Sequence, residues 1–178
     1  MSRTHKITLT AMMISMSVVI NQILELIPFL QLTDGGTFFS FTMLPIIFTA
    51  LMLGPLWGIF AGVTYGLLSF ILARSSSAGI ISIIFDYVLA SSVVGLIGFM
   101  KRQFKSGKTW LIVAGIFGCF VLRCLSKTCS SVLAYNVSFI EGIIYNGPVD
   151  LSAVGMVITL FILTSKRVRK YALSNSMI

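Results

Sequence analysis

The sequence predicts an all-α integral membrane protein: a bundle of six transmembrane helices with both termini in the cytoplasm. Three observations lead there. Hydrophobic residues make up 57% of the 178-residue chain and charged residues only 10%, against about 25% charged in soluble domains. Mean hydropathy is +1.00, more apolar surface than a water-soluble core consumes. Apolar runs long enough to cross a bilayer as helices recur along the chain, separated by short polar or glycine-containing breaks. No soluble domain, repeat or low-complexity tract interrupts them, so residues 1–178 read as one membrane domain.

Span 1 covers about Ile7 to Ile27 and stops at Pro28, which cannot continue a helical ladder. No small-residue cleavage site precedes that break, so the segment reads as a retained helix and not a signal peptide. Ala11 and Ser15 form a small-xxx-small pair that lets another helix approach closely. Gln22 and Glu25 fall near the far end. The segment Pro28 to Ser40 contains Asp34-Gly35-Gly36, a turn signal. Span 2, Phe41 to Leu53, is short, and Pro45 inside it predicts a kink or tilt. Span 3 runs from Pro55, a good first-turn residue, to Ala73. Gly54, Gly58, Gly62 and Gly66 recur every fourth residue and predict a smooth face for backbone-to-backbone packing. They are not a phosphate loop, because they lie in an apolar helix and no Lys-Ser/Thr follows.

Arg74 to Ala78 is a polar turn, and span 4 is Gly79 to Met100, GIISIIFDYVLASSVVGLIGFM. A basic loop, 101–108, leads to span 5, Trp110 to Leu133. The connector Ala134 to Ile143 holds Glu141, and span 6, Tyr145 to Ser165, precedes the basic tail KRVRK. Of the 13 Lys and Arg residues, Arg123 and Lys127 lie within span 5 and Arg74 in the turn after span 3. All the others sit on the N-terminal segment, the 101–108 loop or the tail. That asymmetry places these three segments in the cytoplasm. It also removes nucleic acid as the explanation of the net charge of +8. Trp57 and Trp110 near the cytoplasmic ends read as belt residues.

Asp86, with Tyr87, is the leading functional candidate. A carboxylate inside a span is costly and marks a substrate or ion path; the competing reading is an ion pair with Arg123 or Lys127. Entering from outside, span 4 places Asp86 roughly 10 Å deep at the helical rise. Lys127 lies at a similar depth on span 5, Arg123 one turn deeper, and Ser130 and Ser131 extend the stripe. Tyr135, Glu141, Tyr145 and Asn146 follow at the outer ends. Together they outline a pocket open to the outside, with apolar walls and a few placed polar groups. Two acids among tyrosines suit a cationic aromatic ligand. Local alternatives stand beside these roles. Asn146 or Gly147 caps span 6 with Asp150 facing its dipole; the tyrosines form an interfacial belt; Glu141 is solvated. Cys119, Cys124 and Cys129, five residues apart, form neither a metal pattern nor a disulfide framework, and no metal site is expected. His5 is the only histidine, and no nucleophile or paired-acid arrangement suggests an enzyme. No filter signature suggests a channel.

These motifs resemble a known family. FDYVLASSVVGLIGFMKR resembles a span of the energy-coupling-factor (ECF) transporter substrate-binding subunits, in particular the thiamine-specific S-components with their Leu-(Asp/Glu)-Tyr-Pro-Leu-Ala-like motif. GGTFFSFTMLPIIFTALMLGPLWGIFAGVTYGLL is similar to that family's Gly-Gly…Met-x-Pro-Ile…Gly…Gly segment, and IIYNGPVDL to its Tyr-Asn-Gly. The resemblance implies a multi-pass subunit of the bacterial cell membrane that captures a vitamin from outside and binds no cofactor itself. A transmembrane coupling subunit and two cytoplasmic ATPase subunits would hydrolyse ATP to drive uptake. Ala11 and Ser15 would dock the coupling subunit. Asp86 would contact the cationic or aminopyrimidine part of the ligand, Tyr87 would line the pocket and Asn146 would hydrogen-bond the ligand. Lys127 stands where the thiamine binder has histidine, Tyr135 where it has tryptophan, and Val88 where the motif has proline. Gly36 and Ser40 replace an aromatic residue and an acid. The ligand expected is thiamine or a related pyrimidine, with riboflavin or pantothenate as alternatives. The rival reading is a six-span scaffold or cell-shape protein with Asp86 paired to Lys127.

Overall fold

The computed structural model describes residues 2–31, 37–72 and 79–174. The expected turns at Asp34-Gly35-Gly36 and Arg74–Ala78 lie outside these residues. Six helices follow in order: α1 Arg3–Glu25, α2 Leu44–Leu53, α3 Pro55–Leu72, α4 Ile80–Lys105, α5 Thr109–Tyr135 and α6 Phe139–Ser174. Five are long and apolar enough to cross a membrane; α2 is the shorter sixth. The only extended pairing among the described residues is one antiparallel bridge, Gln31 to Thr37.

Helix α1 begins before the apolar run because Ser2 caps it, its Oγ accepting the His5 N–H at 3.3 Å. Helix α2 differs from expectation. Pro45 occupies its first turn, where a missing N–H costs nothing, and does not kink it. Every residue from Pro45 to Leu53 is buried, so α2 is the bundle's inner helix. Phe48 stacks on Phe161 of α6 at 5.5 Å between ring centroids. Ile46, Ile47 and Leu51 meet Ile97, Ile112, Ile116 and Val157 in the same core. Gly54 then turns the chain straight into α3. Its φ of +114° is a region L side chains rarely adopt. Lys101 donates to the Leu53 carbonyl at 3.0 Å, closing the end of α2 with a cation where the helix dipole favours one. Gly54 therefore belongs to the turn and not to the glycine face.

That face is Gly58, Gly62 and Gly66, and it lies against α4. A Cβ at Gly62 would stand 2.4 Å from the Ser91 carbonyl oxygen, and one at Gly66 2.4 Å from that of Tyr87. From the other side, a Cβ at Gly95 would stand 2.3 Å from the Gly58 carbonyl carbon. Helices without side chains at the seam gain dispersion contact where lipid supplies no hydrophobic drive.

Helix α4 is not the regular helix the apolar run suggests. An α-turn at Ile80–Ser82 opens into a π-helical stretch, Ile83–Leu89, returns through Ala90–Ser92, and tightens to a 3₁₀ stretch over Val93–Met100. A wide segment is followed by a tight one, both packed on the glycine face of α3. Helix α5 ends at Asn136, whose φ of 53° is left-handed. Helix α6 starts at Phe139, so the connector is only 136–138, and it continues through the basic segment to Ser174. Its start is a capping box. Ser138 N–H and Oγ both donate to Glu141 Oε2, at 3.1 and 2.8 Å, and Glu141 N–H donates to Ser138 Oγ at 3.3 Å. Consequently Asn146 and Gly147 cap nothing, Asp150 is not in a first turn, and Pro148 lies inside the helix. Phe29, Leu56, Phe99, Trp110, Ile140 and Leu163 point outward, as side chains facing lipid do.

Candidate ligand-binding site

The π-helical stretch of α4 carries Asp86, and α5 holds it there. Asp86 Oδ2 accepts hydrogen bonds from Ser82 Oγ at 2.5 Å and from Ser130 Oγ at 2.7 Å. One turn before Ser130, Ser126 Oγ donates to the Phe85 carbonyl at 2.7 Å. Ser82 Oγ also lies 3.2 Å from the Tyr135 hydroxyl. Asp86 and Tyr135, far apart in sequence, therefore share one hydroxyl cluster. Ser82, Ser126 and Ser130 are buried, whereas Asp86 and Tyr87 are half-buried. Tyr87 turns to α3, edge-on to Phe70 with ring centroids 5.6 Å apart.

The α5 stripe expected from the sequence splits in two. Ser126 and Ser130 face α4. Arg123, Lys127 and Ser131, one position further round the helix, face α6. Adjacent helical positions are about 100° apart at 3.6 residues per turn, which is the angle α5 needs to serve both neighbours. On the α6 side, Lys127 Nζ meets Asp150 Oδ1 at 3.0 Å, and Arg123 reaches the same oxygen at 3.3 Å. Asn146 Nδ2 donates to Ser131 Oγ at 3.2 Å and to the Gly142 carbonyl at 3.0 Å. The spacing of four that joins Lys127 to Ser131 also joins Asn146 to Asp150, so two polar rungs tie the helices.

This changes the charge assignment. Lys127 is the partner of Asp150, not of Asp86. Both cations of α5 converge on one carboxylate whose side chain is only 4% exposed. Among the described residues no cation lies within ion-pair distance of Asp86, whose partners are two serine hydroxyls. Tyr145 is half-buried on α6 beside Asn146, and Glu141 is exposed at the helix start, bound to Ser138.

Two features escaped the sequence reading. Ser82 of α4 and Ser126 of α5 join the expected Ser130 in most of the polar work, yet isolated serines in an apolar span carry no distinctive pattern. A second network lies on α1 and α3. Asn21 Nδ2 donates to Glu25 Oε1 at 2.6 Å, Gln22 Nε2 to Glu25 Oε2 at 3.3 Å, and the buried Tyr65 hydroxyl to Asn21 Oδ1 at 3.3 Å. The sequence singles out Gln22 and Glu25 near the end of span 1, but neither Asn21 nor Tyr65 on α3.

Ala11 and Ser15 are exposed on α1. They line a groove of about 750 Å³ between α1 and α3, with Ile14, Trp57, Phe60 and Leu68. The Ser15 hydroxyl is turned back onto the Ala11 carbonyl at 3.0 Å, which leaves the groove apolar.

The family model of the thiamine transporter proteins matches residues 7–172, reaching into all six helices. The chain belongs to the thiamine transporter family. Among solved structures, that of ThiT from Listeria monocytogenes superposes with a TM-score of 0.67, covering 91% of this chain and 97% of that one at 21% identity. The similarity to ThiT is one of fold, an all-helical membrane bundle. No curated protein matches significantly by sequence. This thiamine transporter family chain is thus a multi-pass membrane protein. Of the vitamins left open by the sequence, thiamine is the one this family carries.

Proposed function

We propose that the chain captures thiamine at Asp86 and delivers it for uptake by an ATP-driven importer. The observation that carries the site is the counter-ion assignment: Asp150 takes both cations of α5 at ion-pair distance, while Asp86 has hydrogen bonds from neutral hydroxyls and feels Lys127 only at longer range. A carboxylate inside a membrane span without a fixed cation is stabilised by a ligand that brings one. Thiamine carries a permanent thiazolium charge and an aminopyrimidine with N–H donors, and either fits the acceptor. Both hydroxyls go to Oδ2, which leaves Oδ1 for the ligand.

In this reading Tyr135, joined to Asp86 through Ser82, and Tyr87 supply aromatic faces. Asn146 and Tyr145 on α6 complete the pocket, with Lys127 bordering it while bound to Asp150. Glu141 contributes at the mouth of the pocket through the helix start that it caps. The site faces outward, with both termini cytoplasmic, because the basic segments belong on the inside. Energy comes from partners, as the sequence contains no nucleotide-binding motif of its own. A transmembrane coupling subunit docks in the groove beside Ala11 and Ser15, and two cytoplasmic ATPases hydrolyse ATP.

Titration of the detergent-purified protein with thiamine by isothermal calorimetry tests the site. Asp86→Asn keeps the shape and removes the charge, and it is expected to weaken binding about 100-fold, the loss typical of an unpaired buried charge. Unchanged affinity in that variant would overturn the assignment.

A further inference from the structure

We infer that Ser126 is a positioning residue that sets the direction of Asp86 through the backbone of the π-helical stretch. The inference rests on the reading of Asp86 as the ligand's carboxylate. The Phe85 carbonyl accepts from two helices. It accepts the Ala90 N–H, an i→i+5 bond of the wide turn, and also the Ser126 hydroxyl at 2.7 Å. A hydroxyl inserted at a helical carbonyl tilts that carbonyl outward and favours the wide turn over the α-turn. Such local π-turns concentrate at functional sites. The next residue after Phe85 is Asp86, so the carbonyl held by Ser126 and the side chain held by Ser130 are consecutive on α4.

Ser126 and Ser130 are one turn apart on α5, and they grip two consecutive points of α4, one main-chain and one side-chain. Both hydroxyls are buried, and a buried donor keeps its bond because no water replaces it. From the opposite side, α3 presses on the same stretch: the Tyr87 carbonyl lies against Gly66. The wide turn is thereby clamped between a backbone contact and a hydroxyl. Without the hydroxyl the stretch relaxes toward α geometry. A change of one residue in register swings side chains by about 100°, carrying Asp86 off Ser130. Ser126 touches no ligand in this account; its whole effect passes through Asp86.

A double-mutant cycle read by thiamine calorimetry on the purified full-length protein tests this. Ser126→Ala alone is expected to weaken thiamine about fivefold, the worth of one buried hydrogen bond. Ser126→Thr, which keeps the hydroxyl, is expected to retain wild-type affinity. In the Asp86→Asn background Ser126→Ala is expected to change affinity by less than about twofold, the non-additivity that coupled residues show. An equal loss in both backgrounds, or no loss from Ser126→Ala alone, overturns the positioning role and leaves Asp86 as ligand carboxylate untouched. Wild-type affinity in Asp86→Asn itself overturns the Asp86 reading, and this inference with it. If Ser126→Ala does not elute as a monodisperse species, Ser126→Cys, similar in volume and a weaker donor, takes its place in the cycle with the same expectations.

Discussion

Helix α4 has two seams, and they are built on opposite principles. Toward α3 it offers backbone: Gly58, Gly62 and Gly66 meet Gly95, Ser91 and Tyr87 with no room for a methyl group. Toward α5 it offers hydroxyls and a carboxylate: Ser82, Asp86 and the Phe85 carbonyl meet Tyr135, Ser130 and Ser126. The first seam is held by shape and dispersion, forces that tolerate no added volume. The second is held by directed bonds, which tolerate volume poorly but direction worse. A membrane helix that carries a functional group needs both. The glycine seam fixes where the helix lies, and the serine seam decides where its carboxylate points.

The largest effect is expected where the glycine seam is broken. Gly62→Val places carbon where the Ser91 carbonyl already sits, and overpacking against backbone costs about 3 kcal/mol or more. Loss of the monodisperse peak on size exclusion, or a sharply lowered thermal midpoint in detergent, is the measurement; a normal profile would show the seam to be loose. An intermediate effect belongs to the serine seam. Ser130→Ala leaves Asp86 one hydroxyl and is expected to weaken thiamine about tenfold, as loss of a bond to a charged group does, while the thermal midpoint stays near wild type. A large stability loss with intact affinity would erase the distinction between the seams. The smallest effect is expected away from both. Glu141→Ala removes the carboxylate half of the capping box of α6 and is expected to cost about 0.5 kcal/mol of stability, as capping residues do, with a thiamine affinity within about twofold of wild type, the scatter of uncoupled sites. A loss of affinity beyond that would make Glu141 a ligand contact as well as a cap.

Much of the candidate site was legible from residue type alone. Asp86 declares itself as a candidate because an acid in an apolar span is rare. The glycine face is visible because a spacing of four is a helix's own period. What was not legible is pairing. The sequence places Lys127 and Asp86 at similar depth, yet depth does not say which neighbour a side chain faces. Lys127 and Ser130 differ by less than one turn and serve different helices. The Ser138–Glu141 capping box is a pattern in the sequence, but Ser138 and Glu141 read there only as connector residues; the expected span starts at Tyr145, whereas the helix starts at Phe139. Pro148 sits inside α6 without ending it because neighbouring groups in a bundle re-satisfy what proline frees.

Composition, charge placement and glycine spacing by themselves determined that this is a membrane-embedded helical bundle with one conspicuous acid, because the solvent acts on every residue separately. Tertiary structure alone decided that Asp150 claims both cations of α5, that a serine pair holds Asp86, and that α4 winds first wide and then tight. Those outcomes depend on which helix stands beside which, and hydrogen bonds and ion pairs are settled by distances of a few ångströms that no single segment contains.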